Sequence, residues 1–559
     1  MPIKLSRWTP AVILVIAGST HSLAVSPFGP ALDLLTLDGT NGFACNGINA
    51  GEHSVSNAGD VNGDGIDDII IGDKFASPNG LNAAGESYVI FGSATVGAGG
   101  TLDLSALNGT NGFVCNGSDA EGRSGVSVSA AGDVNGDGID DLIIGSADQR
   151  VLGPNLFDKT YVVFGSVGIG AGGTLELSTL NGTNGFVCKP VDIADVAGYS
   201  VSAAGDVNGD GIDDVIIGAP FATTNGQIFA GASYVVFGAI GVGASGNLDF
   251  STLNGTNGFV CNGVAANDFS GGSVSNAGDI NGDGIGDLII GAQYAFPGAG
   301  LPMGGQGGEG QTYVVFGAVG IGAGGSVELS ALNGTNGFTC NGSVTQDNSG
   351  GSVSSAGDVN GDGMDDVIIG ARKADSGCSF QNGKSYVIYG DADVGIGGTI
   401  ELSTLDETVG FRLNGADSLE YSGDSVAGAG DVNGDGIDDL IIGAYDASET
   451  YIVFGGSDIG ITGARHLIYL TDVTCGLDGT TGFVCNGIDE IFENVRSVSP
   501  AGDVNDDGID DFIIGSSINT SYVVFGKVEQ ILAGDINDDG IVDTADLGIL
   551  IGNFGETLP

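Results

Sequence analysis

The chain has 559 residues, 70 of them acidic and 14 basic, for a formal charge of −56. That balance argues against nucleic acid or an anionic membrane surface as partners, and a hydrophobic content of 42% argues against a disordered chain. The 106 glycines then mark many tight turns between short strands.

Lys4 and Arg7, the apolar run Ala11 to Ala17 and the triplet Ser22-Leu23-Ala24 follow the order of a secretory signal, so residues 1–24 are expected to direct export. The apolar run is too short to span a bilayer comfortably, and no other segment approaches that length, so no transmembrane anchor is expected. Trp8 is the only Trp and lies inside this segment. Its position counts against a WD-type propeller and against Trp-based sugar platforms.

Between residues 31 and 526 one pattern recurs seven times: Gly-Asp-(Val/Ile)-Asn-(Gly/Asp)-Asp-Gly-(Ile/Met)-(Asp/Gly)-Asp. Its first Asp falls at Asp60, Asp133, Asp206, Asp279, Asp358, Asp431 and Asp503, roughly one every 73 residues. Such a period signals a repeat architecture. In the second repeat Ser127 to Ala131 alternates, Leu142 to Ile144 is a continuous apolar run, and Tyr161 to Phe164 and Phe186 to Cys188 complete four short strands. Strands this short and apolar suit sheets buried on both faces, as propeller blades are. A first fourth-strand segment stands at Phe43, ahead of the first Asp loop, and the last repeat ends on its third strand, Tyr522 to Phe525. The N-terminal segment is therefore expected to complete the last blade and leave no open edge. The expected fold is all-β: a seven-bladed β-propeller closed by an N-terminal strand, with a short calcium loop-helix at the C-terminus.

Each loop sets oxygen-bearing side chains at positions 1, 3, 5 and 9, a glycine at position 6 for the turn, and a backbone carbonyl at position 7. This is the donor pattern of a hard cation such as Ca²⁺. The expected ligands are Asp60, Asn62, Asp64, Ile66 and Asp68, then Asp133, Asn135, Asp137, Ile139 and Asp141. In the third and fourth repeats they are Asp206, Asn208, Asp210, Ile212 and Asp214, and Asp279, Asn281, Asp283, Ile285 and Asp287. The last three repeats add Asp358, Asn360, Asp362, Met364 and Asp366; Asp431, Asn433, Asp435, Ile437 and Asp439; and Asp503, Asn505, Asp507, Ile509 and Asp511. An EF-hand would carry an acidic residue at position 12 and continue as a helix; Ile71 stands there, inside an apolar strand. The loops lack His and Cys, which argues against zinc. About seven Ca²⁺ ions are expected in the propeller. The position-8 residues, Asp67 and its equivalents, are expected to face solvent or cap neighbouring amides, and Gly286 in the fourth repeat shows that they are not ligands.

The pattern Ser-Val-Ser-x-Ala-Gly-Asp-Val-Asn-Gly-Asp-Gly-Ile-Asp-Asp-(Leu/Ile/Val)-Ile-Ile-Gly-Ala, followed by Tyr-Val-Val-Phe-Gly, resembles the FG-GAP repeat of integrin α subunits. With the Leu-Ser-x-Leu-Asn-Gly-Thr-Asn-Gly-Phe segment it is most similar to integrin-like proteins of bacteria. The resemblance implies a seven-bladed propeller with calcium between the first and second strands. No Arg-Gly-Asp sequence and no inserted adhesion domain is present, so integrin heterodimer biology does not carry over. Residues 527–559 differ. Asp535, Asn537, Asp539, Ile541 and Asp543 form a loop that does have an acidic position 12, Asp546, and an apolar helical pattern follows through Leu547, Leu550, Ile551 and Phe554. This is similar to one half of a type I dockerin, which implies a further Ca²⁺ and a cohesin-like partner; a small calcium-stabilised cap or sorting tag is the other reading.

In an up-and-down blade the Asp loops and the Gly-rich connections between strands three and four share one end. The loops between strands two and three, and those leading into the next blade, share the other and vary strongly: Lys74 to Glu86, Asp148 to Lys159, Phe221 to Ala232, Gln293 to Gln311 and Arg372 to Lys384. Any extracellular protein or glycan ligand is expected there, with Phe157, Phe221, Phe229, Tyr294 and Phe296 as apolar candidates. Six cysteines, Cys45, Cys115, Cys188, Cys261, Cys340 and Cys485, stand in fourth strands, with Leu413 in the remaining one. They are expected to be buried apolar residues, and Cys475 with Cys485 is the one local pairing to consider. Only three His residues exist and no nucleophile elbow or phosphate loop is present. The expected role is a secreted or cell-surface, non-catalytic adhesion or recognition scaffold. The alternative is a component, non-catalytic or hydrolytic, of an extracellular polysaccharide-degrading assembly docked through the tail.

Overall fold

The computed structural model describes residues 28–47, 52–147, 158–192, 194–297, 308–375, 380–457, 459–460, 465–466, 477–487, 494–517 and 519–527. The tail loop with Asp535 to Asp546, like the signal-like segment and Phe157, lies outside them. The described chain is all-β: seven sheets, with short 3₁₀ turns as the only helical elements among the described residues.

Blade one shows how each repeat folds. Its inner strand, His53–Gly59, alternates buried and half-buried residues; the second, Asp68–Asp73, is buried throughout. Glu86–Ile90 and Gly112–Asn116 complete the antiparallel meander. Such apolar central strands are stable only if both sheet faces are covered, and neighbouring blades cover them. Ile70, Val89, Phe113 and Cys115 of blade one pack with Val128, Leu142, Ile144, Tyr161 and Val163 of blade two.

Each sheet has five strands rather than the expected four. The fifth is a strand of two or three residues that pairs in parallel with the fourth strand, and in most blades it follows the Gly-rich connection of the next repeat. Thr174–Glu176, from repeat two, pairs with Gly112–Asn116 of blade one. The connection can pass this close because Gly170, at φ 64°, lies on the Phe113 ring; a Cβ there would stand 2.2 Å from Phe113 Cγ.

Closure follows the expected route and goes further. Gly42–Asn46 pairs antiparallel with Thr520–Val524, from Gly42 opposite Val524 to Asn46 opposite Thr520. Ala31–Asp33 supplies the outer strand of blade six by pairing with Gly482–Asn486. The N-terminal segment therefore completes two blades.

Candidate metal centres

The Asp loops repeat one hydrogen-bonded geometry. In the first, Asp60 Oδ1 accepts from the amides of Gly63 at 2.8 Å and Asp64 at 3.0 Å, and Oδ2 from Gly65 at 2.8 Å. Asp64 Oδ1 accepts from Ile66 N at 3.1 Å. The position-9 carboxylate ties the loop to the sheet: Asp68 Oδ2 accepts from Val61 N at 3.1 Å and Oδ1 from Gly92 N at 2.9 Å. Asn62 Nδ2 donates to the same carboxylate at 3.3 Å. In the second loop the corresponding bonds to Asp133, Asp137 and Asp141 recur.

Asp68, Asp141, Asp214, Asp287, Asp366, Asp439 and Asp511 are all fully buried. Burial, with the charges of Asp64 and Asp60 added, pushes the Asp68 carboxyl up to about 8. Among the described residues no Lys or Arg forms an ion pair with any loop carboxylate. In chemistry this set fits a hard divalent cation: every side-chain donor is oxygen, three are carboxylates, and no cationic side chain offsets them. Asp60 accepts loop amides with both oxygens, and Asn62 turns its nitrogen to Asp68. Among the described residues no three acidic, His or Cys groups form an assembled metal cluster.

The position-8 residues act between blades. Asp140 Oδ2, in blade two, accepts from the Asp60 amide of blade one at 2.9 Å. Asp213, Asp365, Asp438, Asp510 and Asp67 do the same for Asp133, Asp279, Asp358, Asp431 and Asp503. Gly59, at φ 68°, makes room: a Cβ would stand 2.4 Å from Asp140 Oδ2. Gly286 leaves the Asp206 amide without this cap. Adjacent residues in a loop thus have separate tasks, position 9 facing its own sheet and position 8 the neighbouring blade.

Hydrogen bonds separate the connections into two ends. Ser166 N donates to Val61 O, tying a Gly-rich connection to the preceding Asp loop. At the other end Arg123 N donates to Ala83 O and Phe269 N to Phe229 O, joining the two variable classes of loop. Phe221 and Phe229 pack edge to face with ring centroids 5.8 Å apart. Phe269, not foreseen from the sequence, joins them to Tyr294, with centroids at 5.2 and 5.5 Å. Phe269 follows a fourth strand, where a single aromatic carried no repeat signal. Phe296 is half-buried nearby in sequence.

The six fourth-strand cysteines are free and buried, and Leu413 is buried in the same role. Burial raises the Cys485 thiol well above its usual range. Cys485 is thus not paired with Cys475, which lies outside the described residues. His53 Nδ1 and Ser521 Oγ stand 3.0 Å apart at the closing seam; His53 is 2% exposed and Ser521 0%, a packed pair that solvent does not reach.

Comparison with known families places FG-GAP repeats at residues 53–90, 124–154, 197–236, 270–315, 349–388 and 422–459. The chain carries FG-GAP repeats. It is 29% identical over 308 residues to "Integrin alpha pat-2" of Caenorhabditis elegans, covering 54% of this chain and 22% of that protein. "Integrin alpha-PS2" of Drosophila melanogaster is 32% identical over 129 residues, 22% of this chain and 9% of that protein. "Phosphatidylinositol-glycan-specific phospholipase D" of Dictyostelium discoideum is 28% identical over 172 residues, 30% of this chain and 18% of that one. The chain therefore spans less than a quarter of the length of these relatives. The described chain is a seven-bladed β-propeller that carries FG-GAP repeats and is similar in sequence to integrin α chains. Among the described residues no helix is long and apolar enough to cross a membrane.

Proposed function

We propose that the protein is an exported, calcium-loaded, non-catalytic scaffold for adhesion or extracellular recognition, with its ligand on the variable-loop face. The observation that carries this reading is the division of labour between the two ends of the ring. One end repeats the same carboxylate loops, hydrogen-bonded alike from blade to blade. The other carries loops that differ in every blade, held on a rigid framework, which is where recognition usually resides. The likeness to two integrin α chains supports adhesion; the likeness to phospholipase D is a reason to assay for hydrolysis alongside.

Position-1, -3, -5 and -9 side chains of each Asp loop would hold the cation, in blade one Asp60, Asn62, Asp64 and Asp68, with the Ile66 carbonyl. When bound, calcium neutralises carboxylates that otherwise repel one another. The side chains themselves hold the turn through the amides of positions 4 to 6 and anchor it to the sheet through position 9. Ring geometry and the presentation of the opposite loops then rest on seven such anchors.

The test is binding of the full chain to glycan arrays and cell-surface extracts, in millimolar calcium and in chelator. A calcium-dependent ligand is expected. Absence of binding from folded, calcium-loaded protein, or turnover of a polysaccharide or phosphodiester substrate, overturns the reading.

A further inference from the structure

We propose that blade four carries a binding site for a neutral saccharide, in a cavity of about 540 Å³ beside its Asp loop. The site lies at the opposite end of the ring from the variable loops and does not rest on the placement of a ligand there. It arises from an irregularity in the repeat. In blades two to five a backbone hydrogen bond ties the Gly-rich connection to the Asp loop of the preceding blade. Ser166 N donates to Val61 O, Ala239 N to Val134 O, Ala318 N to Val207 O and Asp391 N to Ile280 O. The next residue is Val167, Ile240, Val319 and Ala392 in turn. The first three reach over the position-4 glycine of the loop they cover. A Cβ on Gly63, Gly136 or Gly209 would stand 3.4, 3.4 or 3.3 Å from Val167 Cγ2, Ile240 Cγ1 or Val319 Cγ2. Ala392 lacks the methyl groups for that reach, and what a Cβ on Gly282 would meet first is Met364 Sδ, at 3.2 Å. The space that a Val side chain would fill stays open.

The opening shows in the exposure of its wall. Asn336, which ends the turn begun by Asn333, is exposed, whereas Asn111, Asn184 and Asn257 at the same place in blades one to three are half-buried. The volume falls within the usual range of small-ligand pockets, roughly 300–1,000 Å³. Its lining combines two kinds of surface. Phe316, Val319, Ile321 and Ala392 are apolar, while Asp283, Thr335 and Asn336 bring carboxylate, hydroxyl and amide groups. A pyranose ring combines the same two, with C–H groups on its faces and hydroxyls around its edge.

The polar groups keep capacity for a ligand. Asn336 Nδ2 donates to Ala331 O at 3.4 Å, which uses one of its two hydrogens. Thr335 Oγ1 donates to Asn333 Oδ1 at 2.6 Å and can still accept. The same bonds fix the turn, with Asn336 Oδ1 accepting from Asn333 N at 3.1 Å, so the wall is set before a ligand arrives and little ordering is needed. Charge narrows the ligand. The lining segments 279–287, 315–327, 333–336 and 391–396 hold no Lys or Arg, and their charged residues are Asp279, Asp283, Asp287, Asp391 and Asp393. Phosphate, sulfate and uronic acids would meet only like charge. The carboxylates are already engaged: Asp279 and Asp283 accept loop amides, Asp287 Oδ1 takes Gly317 N at 2.8 Å, and Asp391 Oδ1 takes Asp393 N at 2.8 Å. A neutral sugar meets the amide and hydroxyl groups without repulsion and with an apolar surface beside them.

The experiment is binding of the calcium-loaded full chain to an array of neutral and acidic oligosaccharides, with labelled decalysine as a cationic probe. Ala392→Val installs the residue that blades two and four carry at this place. It is expected to fill the cavity, leave Tm unchanged and weaken binding of a neutral oligosaccharide at least tenfold. Val319→Ser, at a side chain 81% exposed, is expected to weaken it severalfold and carries the test should Ala392→Val disturb folding. Ile240→Ser, the equivalent change in blade three, and Phe221→Ser, on the variable-loop face, should leave it intact. No neutral oligosaccharide bound by folded wild type, equal binding by Ala392→Val and Val319→Ser, or binding confined to acidic sugars or to decalysine overturns the proposal. A sugar lost on Phe221→Ser and kept by Ala392→Val places recognition on the variable-loop face and refutes the cavity alone.

Discussion

Closing the ring through its N-terminal segment makes Phe43 a measurable test of the seam. Phe43 is 0% exposed and packs between blade seven, at Ile513 and Val523, and blade one, at Val55, Ile69 and Tyr88. Its ring lies 5.9 Å from that of Phe525. Phe259, in the middle of the chain, has the same setting, 0% exposed with Phe237 at 5.7 Å. Phe→Ala at either site removes a buried aromatic and leaves a cavity, a loss of about 3–5 kcal/mol. If the ring unfolds as one unit, its unfolding entropy is about 1 kcal/mol/K for a chain this long, so either change lowers Tm by roughly 3–5 °C. Independent unfolding of a few blades would give a larger shift at the same cost. Thermal unfolding by circular dichroism, with hydrogen exchange read at Thr520–Val524, measures both. Equal Tm losses for Phe43→Ala and Phe259→Ala are expected, with exchange at the seam no faster than at mid-ring. A normal Tm for Phe43→Ala beside a lowered one for Phe259→Ala would show that the seam is open in solution.

Chelation of calcium should lower Tm by more than either Phe→Ala change, because seven sets of carboxylates are affected at once; an unchanged Tm in chelator refutes the loop assignment, and titration calorimetry counts the sites. His53 is buried and held neutral, its imidazole pushed down to about 4 by burial. Its unfolded-state value near 6.5 means that stability is full above pH 6.5 and is lost as pH falls towards 4, by up to about 3 kcal/mol; urea unfolding should show a smaller acid loss for His53→Gln than for wild type. Glu420 behaves oppositely. Burial pushes its carboxyl up to about 7, and the Tyr451 hydroxyl is shared between it and Glu449. A raised carboxylate opposes folding as pH rises from 4.5 through 7, so Glu420→Gln should stabilise by about 1–3 kcal/mol at pH 8 and by little at pH 5; equal effects at both pH values count against the buried charge.

How much of this was legible in the sequence depends on whether a residue acts within its own repeat or between repeats. The Asp loops and the apolar second strands could be read because their partners lie a fixed, short distance along the chain and repetition amplified each signal sevenfold; the strand at Phe43 could be read because the last repeat stops one strand short. The fifth strand could not. Thr174–Glu176 has only three residues, too few for a period, and its partner Gly112–Asn116 belongs to the preceding blade. Position 8 was legible in part: Gly286 showed that it is not a ligand, but that Asp140 caps the Asp60 amide requires knowing which blades touch. The aromatic cluster of the variable-loop face was hidden most completely. Phe221 and Phe229 belong to the third repeat and Phe269 and Tyr294 to the fourth, and their rings meet only where those two blades adjoin. Repetition hides such a site, because its residues are the ones in which the repeats differ. In a ring the same geometry brings those differences together where neighbouring blades adjoin, so the irregular residues at those junctions are the first place to look for what a repeat protein binds.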